Sequence, residues 1–165
     1  MPIAEKYKNI IILNERYAVV RNFKFGIYDT IDKREIISLV YDEIKIQKED
    51  GIVILIRYME GNSLVFNTRN GACLGLDDIY NHRQSLNGVI VLDKVLTSSS
   101  IKKSIILRSD TMRIIIGPCI INNIVSDMSI RNRAIVEYEF LEDNIGTQRW
   151  VINDNYSIYQ YHEPK

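Results

Sequence analysis

Three short sequence features recur in the same order along this 165-residue chain, and their recurrence constrains the fold more than any other property. Each repeat unit opens with an apolar run and continues with a shorter apolar run that ends in a polar residue, and the first three units close with a tetrapeptide of the form apolar, Asx, acid or amide, Ile. A unit of roughly 35 to 45 residues is too small to bury its apolar face alone, so several such units must share one core. The opening runs are residues 17–20, 52–55, 89–92 and 134–136, the second runs are 26–29, 64–67, 105–108 and 151–153, and the closing tetrapeptides are 41–44, 76–79 and 121–124.

Local periodicity assigns these runs to β-strands. Val136, Tyr138 and Phe140 alternate with Glu137 and Glu139, which is the two-residue period of a strand with one buried face. The chain contains 29 Ile and 11 Val but only 4 Ala, and side chains branched at Cβ favour a pleated surface over a helix. The sequence therefore predicts an all-β fold, with helical turns expected only in the first dozen residues and in residues 126–132.

The repeat also predicts the domain organisation. We expect about four degenerate three-stranded antiparallel units in a single domain over residues 1–165, arranged as a propeller-like or barrel-like ring or as an open twisted array. The Asn-Gly dipeptide at residues 70–71 indicates a hairpin, and the Asx of each closing tetrapeptide can accept local N–H groups and turn the chain into the next unit. The approximate units are residues 8–49, 50–86, 87–130 and 131–165.

The first repeat unit resembles the WG repeat, also called the KWG repeat, of bacterial proteins. The resemblance rests on Lys24-Phe25-Gly26-Ile27-Tyr28-Asp29, on Asp32-Lys33 and on Tyr41-Asp42-Glu43-Ile44, with Phe25 in place of the usual Trp and Ser38 where Pro is common. The other units match this pattern in order rather than in letters. The resemblance implies a β-repeat interaction module, and it implies no catalytic residues because the motif positions are turn and packing positions.

The sequence offers little material for catalysis. Its two histidines, His82 and His162, have no second ligand or base at a useful spacing, and no phosphate loop or nucleophile–base order is recognisable. Cys73 and Cys119 lie in apolar surroundings, which is typical of buried, inert thiols. We therefore expect no metal, no cofactor and no enzymatic activity.

Charge and hydropathy restrict the partners. Lys and Arg together number 21 and so do Asp and Glu, and no basic stripe carries interleaved aromatic residues, so nucleic-acid binding is not expected. The apolar run at residues 51–56 is far shorter than the roughly 20 residues that cross a bilayer, and no leader pattern is visible at the N-terminus. These features, with only two cysteines, predict a cytoplasmic protein without membrane contact.

One region has the composition of a binding surface. Acidic residues follow one another along the strand and turn at residues 137–143, and arginine and aromatic residues lie downstream. Trp, Tyr and Arg often dominate binding energy because they bury a large area and keep a polar group. A solvated acidic hairpin with ordinary core aromatics is the alternative. The predicted partner-binding residues are Glu137, Glu139, Glu142, Asp143, Arg149, Trp150, Tyr159 and Tyr161.

The leading functional hypothesis is a non-catalytic protein-binding module. Similarity to repeat proteins encoded beside bacterial toxins makes an immunity protein its most concrete form, with a nuclease toxin as one partner whose basic cleft would suit the acidic residues. A phage-encoded inhibitor of host defence fits equally well. The other alternative is an enzyme or small-molecule binder in which Tyr41, Asp42, Asp77 and Asn122 converge on a pocket. Homodimerisation through an Ile-rich edge strand is compatible with each hypothesis.

Overall fold

The computed structural model describes residues 3–95, 103–126, 132–139 and 147–160, and it divides the chain into two compact units. The N-terminal unit is Met1–Ile79 and the C-terminal unit is Tyr80–Lys165. The all-β prediction is confirmed: within these ranges fifteen antiparallel strands form three sheets, and the helix content is a single turn, α1 (Ile3–Lys6). No helix within the described ranges is long and apolar enough to cross a membrane. The helical turns expected at residues 126–132 fall mostly outside the described residues.

The first sheet, here called sheet 1, is a four-stranded meander at the start of the N-terminal unit. The opening run at residues 17–20 lies in its second strand and is buried throughout, and the second run at residues 26–29 lies in the third strand. The strands are β1 (Asn9–Ile12), β2 (Tyr17–Arg21), β3 (Phe25–Asp29) and β4 (Arg34–Tyr41), paired in that order.

Sheet 2 repeats this arrangement in the same unit. The apolar run at residues 52–55 lies in its second strand, and every residue from Ile52 to Ile56 is buried, so this strand is covered on both faces. The predicted hairpin at Asn70-Gly71 joins the last two strands. The strands are β5 (Glu43–Gln47), β6 (Ile52–Arg57), β7 (Asn62–Asn67) and β8 (Cys73–Leu76).

Sheets 1 and 2 pack against each other through one apolar cluster. Tyr17 and Ile27 of sheet 1 meet Val53, Leu55 and Phe66 of sheet 2, and all five side chains are buried. Removing this surface from water supplies the main free energy that holds the two sheets together.

Sheet 3 contains seven strands and makes up the C-terminal unit. The remaining opening runs, at residues 89–92 and 134–136, lie in its second and fifth strands, and each is paired with the second run that follows it. The strands are β9 (Tyr80–Leu86), β10 (Val89–Lys94), β11 (Ser104–Arg108), β12 (Ile114–Ser126), β13 (Asn132–Glu139), β14 (Thr147–Asn153) and β15 (Ile158–Gln160).

Sheet 3 folds over at β12, its longest strand. The first half of β12 pairs with β11 and the second half pairs with β13. The turn before β10 then reaches β13 through two hydrogen bonds. The Asn87 side-chain amide donates to the backbone carbonyl of Arg133 over 2.9 Å, and the Arg133 guanidinium donates to the backbone carbonyl of Asn87 over 2.9 Å. A flat sheet would hold β10 and β13 about 14 Å apart. Folding instead brings Val91 and Val136 into one buried cluster.

The hairpins that follow the four second runs share one backbone feature. Each second run ends where its strand ends, at Asp29, Asn67, Arg108 and Asn153. The last or the last but one residue of each loop then has a positive φ, which closes a short loop and lets the next strand pair in register. These left-handed residues are Lys33, Gly71, Met112 and Tyr156.

Three details differ from the sequence-based expectations. Sheets 1 and 2 each have four strands rather than three. The first two closing tetrapeptides, residues 41–44 and 76–79, lie where sheets 1 and 2 end. The third one, residues 121–124, lies within β12, where a bulge replaces the expected turn. A Gly-Pro pair usually marks a turn, but Gly117-Pro118 lies in the same strand. Within the described ranges each sheet is open, because its first and last strands do not pair with each other.

Candidate protein-binding surface

Asp42 connects the two sheets of the N-terminal unit. It lies between β4 and β5, and its backbone N–H donates to the Ile56 carbonyl over 2.8 Å. Its carboxylate accepts the backbone N–H of Tyr58 over 2.8 Å and pairs with the Lys24 ammonium group. Lys24 belongs to the β2–β3 loop and Tyr58 to the β6–β7 loop, so one carboxylate fixes two hairpin loops beside each other.

These two loops and the end of β4 enclose a groove of about 290 Å³. Its walls combine apolar side chains with two opposite pairs of charges. The lining residues are Lys24, Leu39, Val40, Asp42, Arg57, Met59 and Glu60.

Large apolar side chains line this groove or directly neighbour its lining residues in sequence, and they are open to solvent. Met59 is 97% exposed and Phe23, next to Lys24, is 84% exposed. Tyr58 and Val40 are also exposed. Single exposed apolar residues are ordinary, but a group of large ones around a groove is typical of an interaction site. We call Phe23, Val40, Tyr58 and Met59 the loop patch.

The charges around the loop patch are balanced. Lys24 pairs with Asp42, and the Arg57 guanidinium lies 3.8 Å from the Glu60 carboxylate. Burial raises the pKa of Tyr41, which directly precedes Asp42, although the Arg57 charge acts in the opposite direction. The phenol is therefore a neutral hydrogen-bonding group at physiological pH. A partner for this surface needs an apolar centre and a mixed polar rim rather than a strongly charged face.

The loop patch is not among the binding residues predicted above, although the sequence contains a signal for it. Phe23 lies between Asn22 and Lys24, and Tyr58 and Met59 precede a Glu-Gly pair, so large apolar residues occupy loops that are usually polar. An apolar residue in a hairpin loop has no core to enter, and this makes it a candidate for binding.

The predicted C-terminal surface is divided by strand register. Glu137 of β13 lies opposite Arg149 of β14, and the guanidinium Nε donates to the Glu137 carboxylate over 3.1 Å. Trp150 lies opposite Val136 on the other face, where it packs against the core of the C-terminal unit. Trp150 also donates from its indole nitrogen to the Gln148 side chain over 2.9 Å. Arg149 and Trp150 therefore lie on opposite faces of the sheet.

The remaining predicted residues are placed only in part. Tyr159 is exposed on β15 opposite Val151, which puts it on the same face as Glu137 and Arg149. The backbone of Glu139 pairs with that of Thr147. Glu142, Asp143 and Tyr161 lie outside the described residues.

The alternative pocket of Tyr41, Asp42, Asp77 and Asn122 is not assembled within the N-terminal unit. Asp77 does not line the groove at Asp42. It follows the last strand of sheet 2, and there the Ser63 hydroxyl donates to the backbone carbonyl of the neighbouring Asp78 over 2.8 Å. Asn122 belongs to the C-terminal unit. The contacts of Asp42 are those of a loop-fixing residue rather than of a general acid or base.

The remaining reactive side chains are those of histidine and cysteine. His82 lies on β9 with its Nε2 atom 2.8 Å from the Ser85 hydroxyl, and His162 lies outside the described residues. Cys119 is buried as expected, and burial raises its pKa to about 11. Cys73 is exposed, so the expectation of a buried thiol is wrong at this position. It begins β8, an edge strand, so its side chain lies at the border of sheet 2. Among the described residues, no group of His, Cys, Asp and Glu is arranged to hold a metal ion.

Comparison of the chain with family models, with curated proteins and with solved structures finds no match.

Proposed function

We propose that this chain is a non-catalytic protein-binding module and that the loop patch is its main contact surface. The observation that carries the proposal is the exposure of Met59 and Phe23 beside a groove of about 290 Å³. Burying a Met or Phe side chain against a partner contributes about 1.5–3 kcal/mol each, and a few such residues dominate a typical interface.

The contacts of Asp42 support this role because they hold the patch in place before binding. The β2–β3 and β6–β7 loops are both tied to one carboxylate, so little conformational freedom remains to be lost when a partner docks. A rigid loop surface binds more tightly than a mobile one with the same side chains.

The specific form of the proposal is an immunity or antitoxin-type protein of the bacterial cytoplasm, which binds a toxin domain and blocks its active site. The apolar side chains of the loop patch suit an apolar region on that partner, and the balanced charges around the patch suit a mixed polar rim. A nuclease partner would contribute a basic cleft, and the acidic residues Glu137, Glu139, Glu142 and Asp143 are the proposed contacts for it. The Glu137–Arg149 ion pair would have to open or share its carboxylate in that complex.

A degenerate WG-type repeat remains part of the proposal. Its support is the regular placement of the left-handed loop residues Lys33, Gly71, Met112 and Tyr156 after four successive second runs. Repeat modules present loops at corresponding positions, which favours binding functions over catalysis.

The test is a pull-down of the tagged chain against the products of its genomic neighbours, followed by affinity measurements on any partner. Met59→Lys should weaken the complex about tenfold or more, because it places a charge in the apolar centre of the interface. Val125→Lys is the matched control, since Val125 is an exposed aliphatic residue of β12 outside the loop patch. Charge reversal at Glu137 and Glu139 tests the acidic contacts separately.

The outcomes separate the alternatives. A tight complex that is insensitive to Met59→Lys but sensitive to reversal at Glu137 would move the interface to the C-terminal unit. Binding to a host-defence protein but to no neighbouring gene product would favour the phage-inhibitor alternative. Absence of any protein partner would contradict the proposal and direct small-molecule screens to the Asp42 groove.

A further inference from the structure

We infer that β1 is the interface of a homodimer in which two copies of the chain pair antiparallel through this strand. The inference does not rest on the proposed function because β1 lines no part of the groove at Asp42, although Lys8, which precedes β1, lies 4.6 Å from the Phe23 ring centroid. β1 is the first strand of sheet 1 and pairs only with β2 among the described strands.

The hydrogen-bond register shows which backbone groups of β1 point away from β2. The Leu13 N–H donates to the Tyr17 carbonyl over 3.0 Å, so Leu13 forms a hydrogen-bonded pair with Tyr17. Such pairs alternate along an antiparallel ladder, and the next one joins Ile11 to Val19. The N–H and C=O groups of Ile10 and Ile12 are therefore directed outward, where a further strand can pair with them.

Two other edge strands of the N-terminal unit, β4 and β5, carry charged side chains that discourage pairing, whereas β1 carries no charge. β4 contains Arg34 and Glu35, and β5 contains Glu43 and Lys45. β8 has no charge, but its exposed positions are small residues, Cys73 and Gly75. β1 has the sequence Asn-Ile-Ile-Ile, and Ile12 is 67% exposed. An uncharged aliphatic edge strand of this kind is a template for another strand.

A cavity beside β1 offers space for the partner's side chains. It has a volume of about 130 Å³ and lies between the edges of sheets 1 and 2, with Ile11, Leu13, Ile46 and Ile52 among its lining residues. Ile11 is 41% exposed there. A second Ile11, brought in by the partner strand, would cover the apolar wall that this edge leaves open.

The occupant is a second copy because the strand and its flanks are complementary to themselves. A two-fold axis at Ile11 places Ile10 opposite the partner's Ile12 and closes both outward hydrogen-bond pairs. The same register brings Lys8 towards the partner's β1–β2 turn, which contains Glu15, and both residues are exposed. Parallel pairing would instead align Lys8 with Lys8, so the charges favour the antiparallel arrangement.

Sedimentation equilibrium over a range of concentrations tests the inference. The unchanged chain should show a reversible monomer–dimer equilibrium, and Ile11→Lys should raise the dimer dissociation constant about tenfold or more, because two lysines would meet at the axis. Ile31→Lys is the matched control: Ile31 is 63% exposed in the β3–β4 loop and should leave the dimer unchanged. Circular dichroism checks that each variant remains folded.

A charge exchange tests the register. Lys8→Glu and Glu15→Lys should each weaken the dimer, and the double variant should restore it. Hydrogen exchange should slow at the Ile10 and Ile12 amides as the dimer forms. A chain that stays monomeric at about 1 mM, or a dimer that Ile11→Lys leaves intact, overturns the inference. Met59→Lys should not change the dimer, so failure here is distinguishable from failure of the proposed function.

Discussion

Tyr17 of β2 and Phe66 of β7 join the two sheets of the N-terminal unit through an edge-to-face ring contact, with centroids 5.1 Å apart and planes at 86°. Both side chains are buried. This geometry places the positive edge of one ring against the negative face of the other and adds to the free energy of area burial. The contact therefore belongs to the apolar cluster that holds sheets 1 and 2 together.

Phe66→Ala should lower the free energy of unfolding by about 3–5 kcal/mol, since it removes a buried ring and leaves a cavity. Urea unfolding measures the change. Phe23→Ala is the matched control, because Phe23 is exposed and its truncation should change stability by less than about 0.5 kcal/mol. Equal losses in the two variants would contradict the packing described here.

Gly71→Ala should destabilise the chain by about 1–2 kcal/mol. Gly71 has a φ of 77°, and an added Cβ would lie 2.6 Å from the Tyr17 hydroxyl oxygen. Gly75→Ala serves as the control, since an added Cβ there meets no atom within 4 Å. Thermal unfolding compares the two variants, and a Gly75→Ala loss as large as that of Gly71→Ala would refute the steric argument.

Asp29→Asn should reduce the loss of stability in acid. Burial acts to raise the pKa of Asp29, but hydrogen bonds from the backbone of Asp32 and Ile31 and from Arg16 outweigh it and lower the pKa. Because the unfolded chain binds the proton more readily, ionised Asp29 stabilises the fold at neutral pH. This contribution begins to decline near the ordinary carboxyl pKa of about 4 and is lost below the folded-state value.

Urea unfolding at neutral pH and at about pH 3 measures that difference. The Asn variant should lose less stability between the two conditions, although it is less stable at neutral pH because the Arg16 ion pair is gone. Asn67 ends β7 as Asp29 ends β3, and its side-chain oxygen accepts the Arg69 N–H over 2.9 Å. This chain therefore already has an amide at the corresponding position of another hairpin. An Asn variant that loses as much stability as the unchanged chain between the two conditions would contradict this role of Asp29.

The two described thiols should react at very different rates with an aromatic disulfide reagent. Cys73 is exposed and should react in the folded chain, whereas Cys119 is buried with a pKa raised to about 11 and should react only after unfolding. Cys73→Ser should remove the fast phase, and Cys119→Ser should leave it intact. Two fast thiols in the folded chain would contradict the burial of Cys119.

Strands and hairpins could be predicted from the sequence because both depend on neighbouring residues. The two-residue period and the β-branched runs identified the second and third strands of sheets 1 and 2 and their counterparts in sheet 3. Asp29 and Asn67 marked the loops after their strands, since a short polar side chain accepts the N–H groups two residues on. These assignments involve residues within a few positions of each other.

The binding surfaces depended on tertiary structure. Lys24, Asp42 and Tyr58 meet only because two sheets pack face to face, and no local pattern records that contact. Register decided that Trp150 and Arg149 lie on opposite faces, since a shift of one residue reverses every side chain of a strand. The sequence by itself thus determined which segments become strands, and packing between distant segments decided which side chains are left together at the surface.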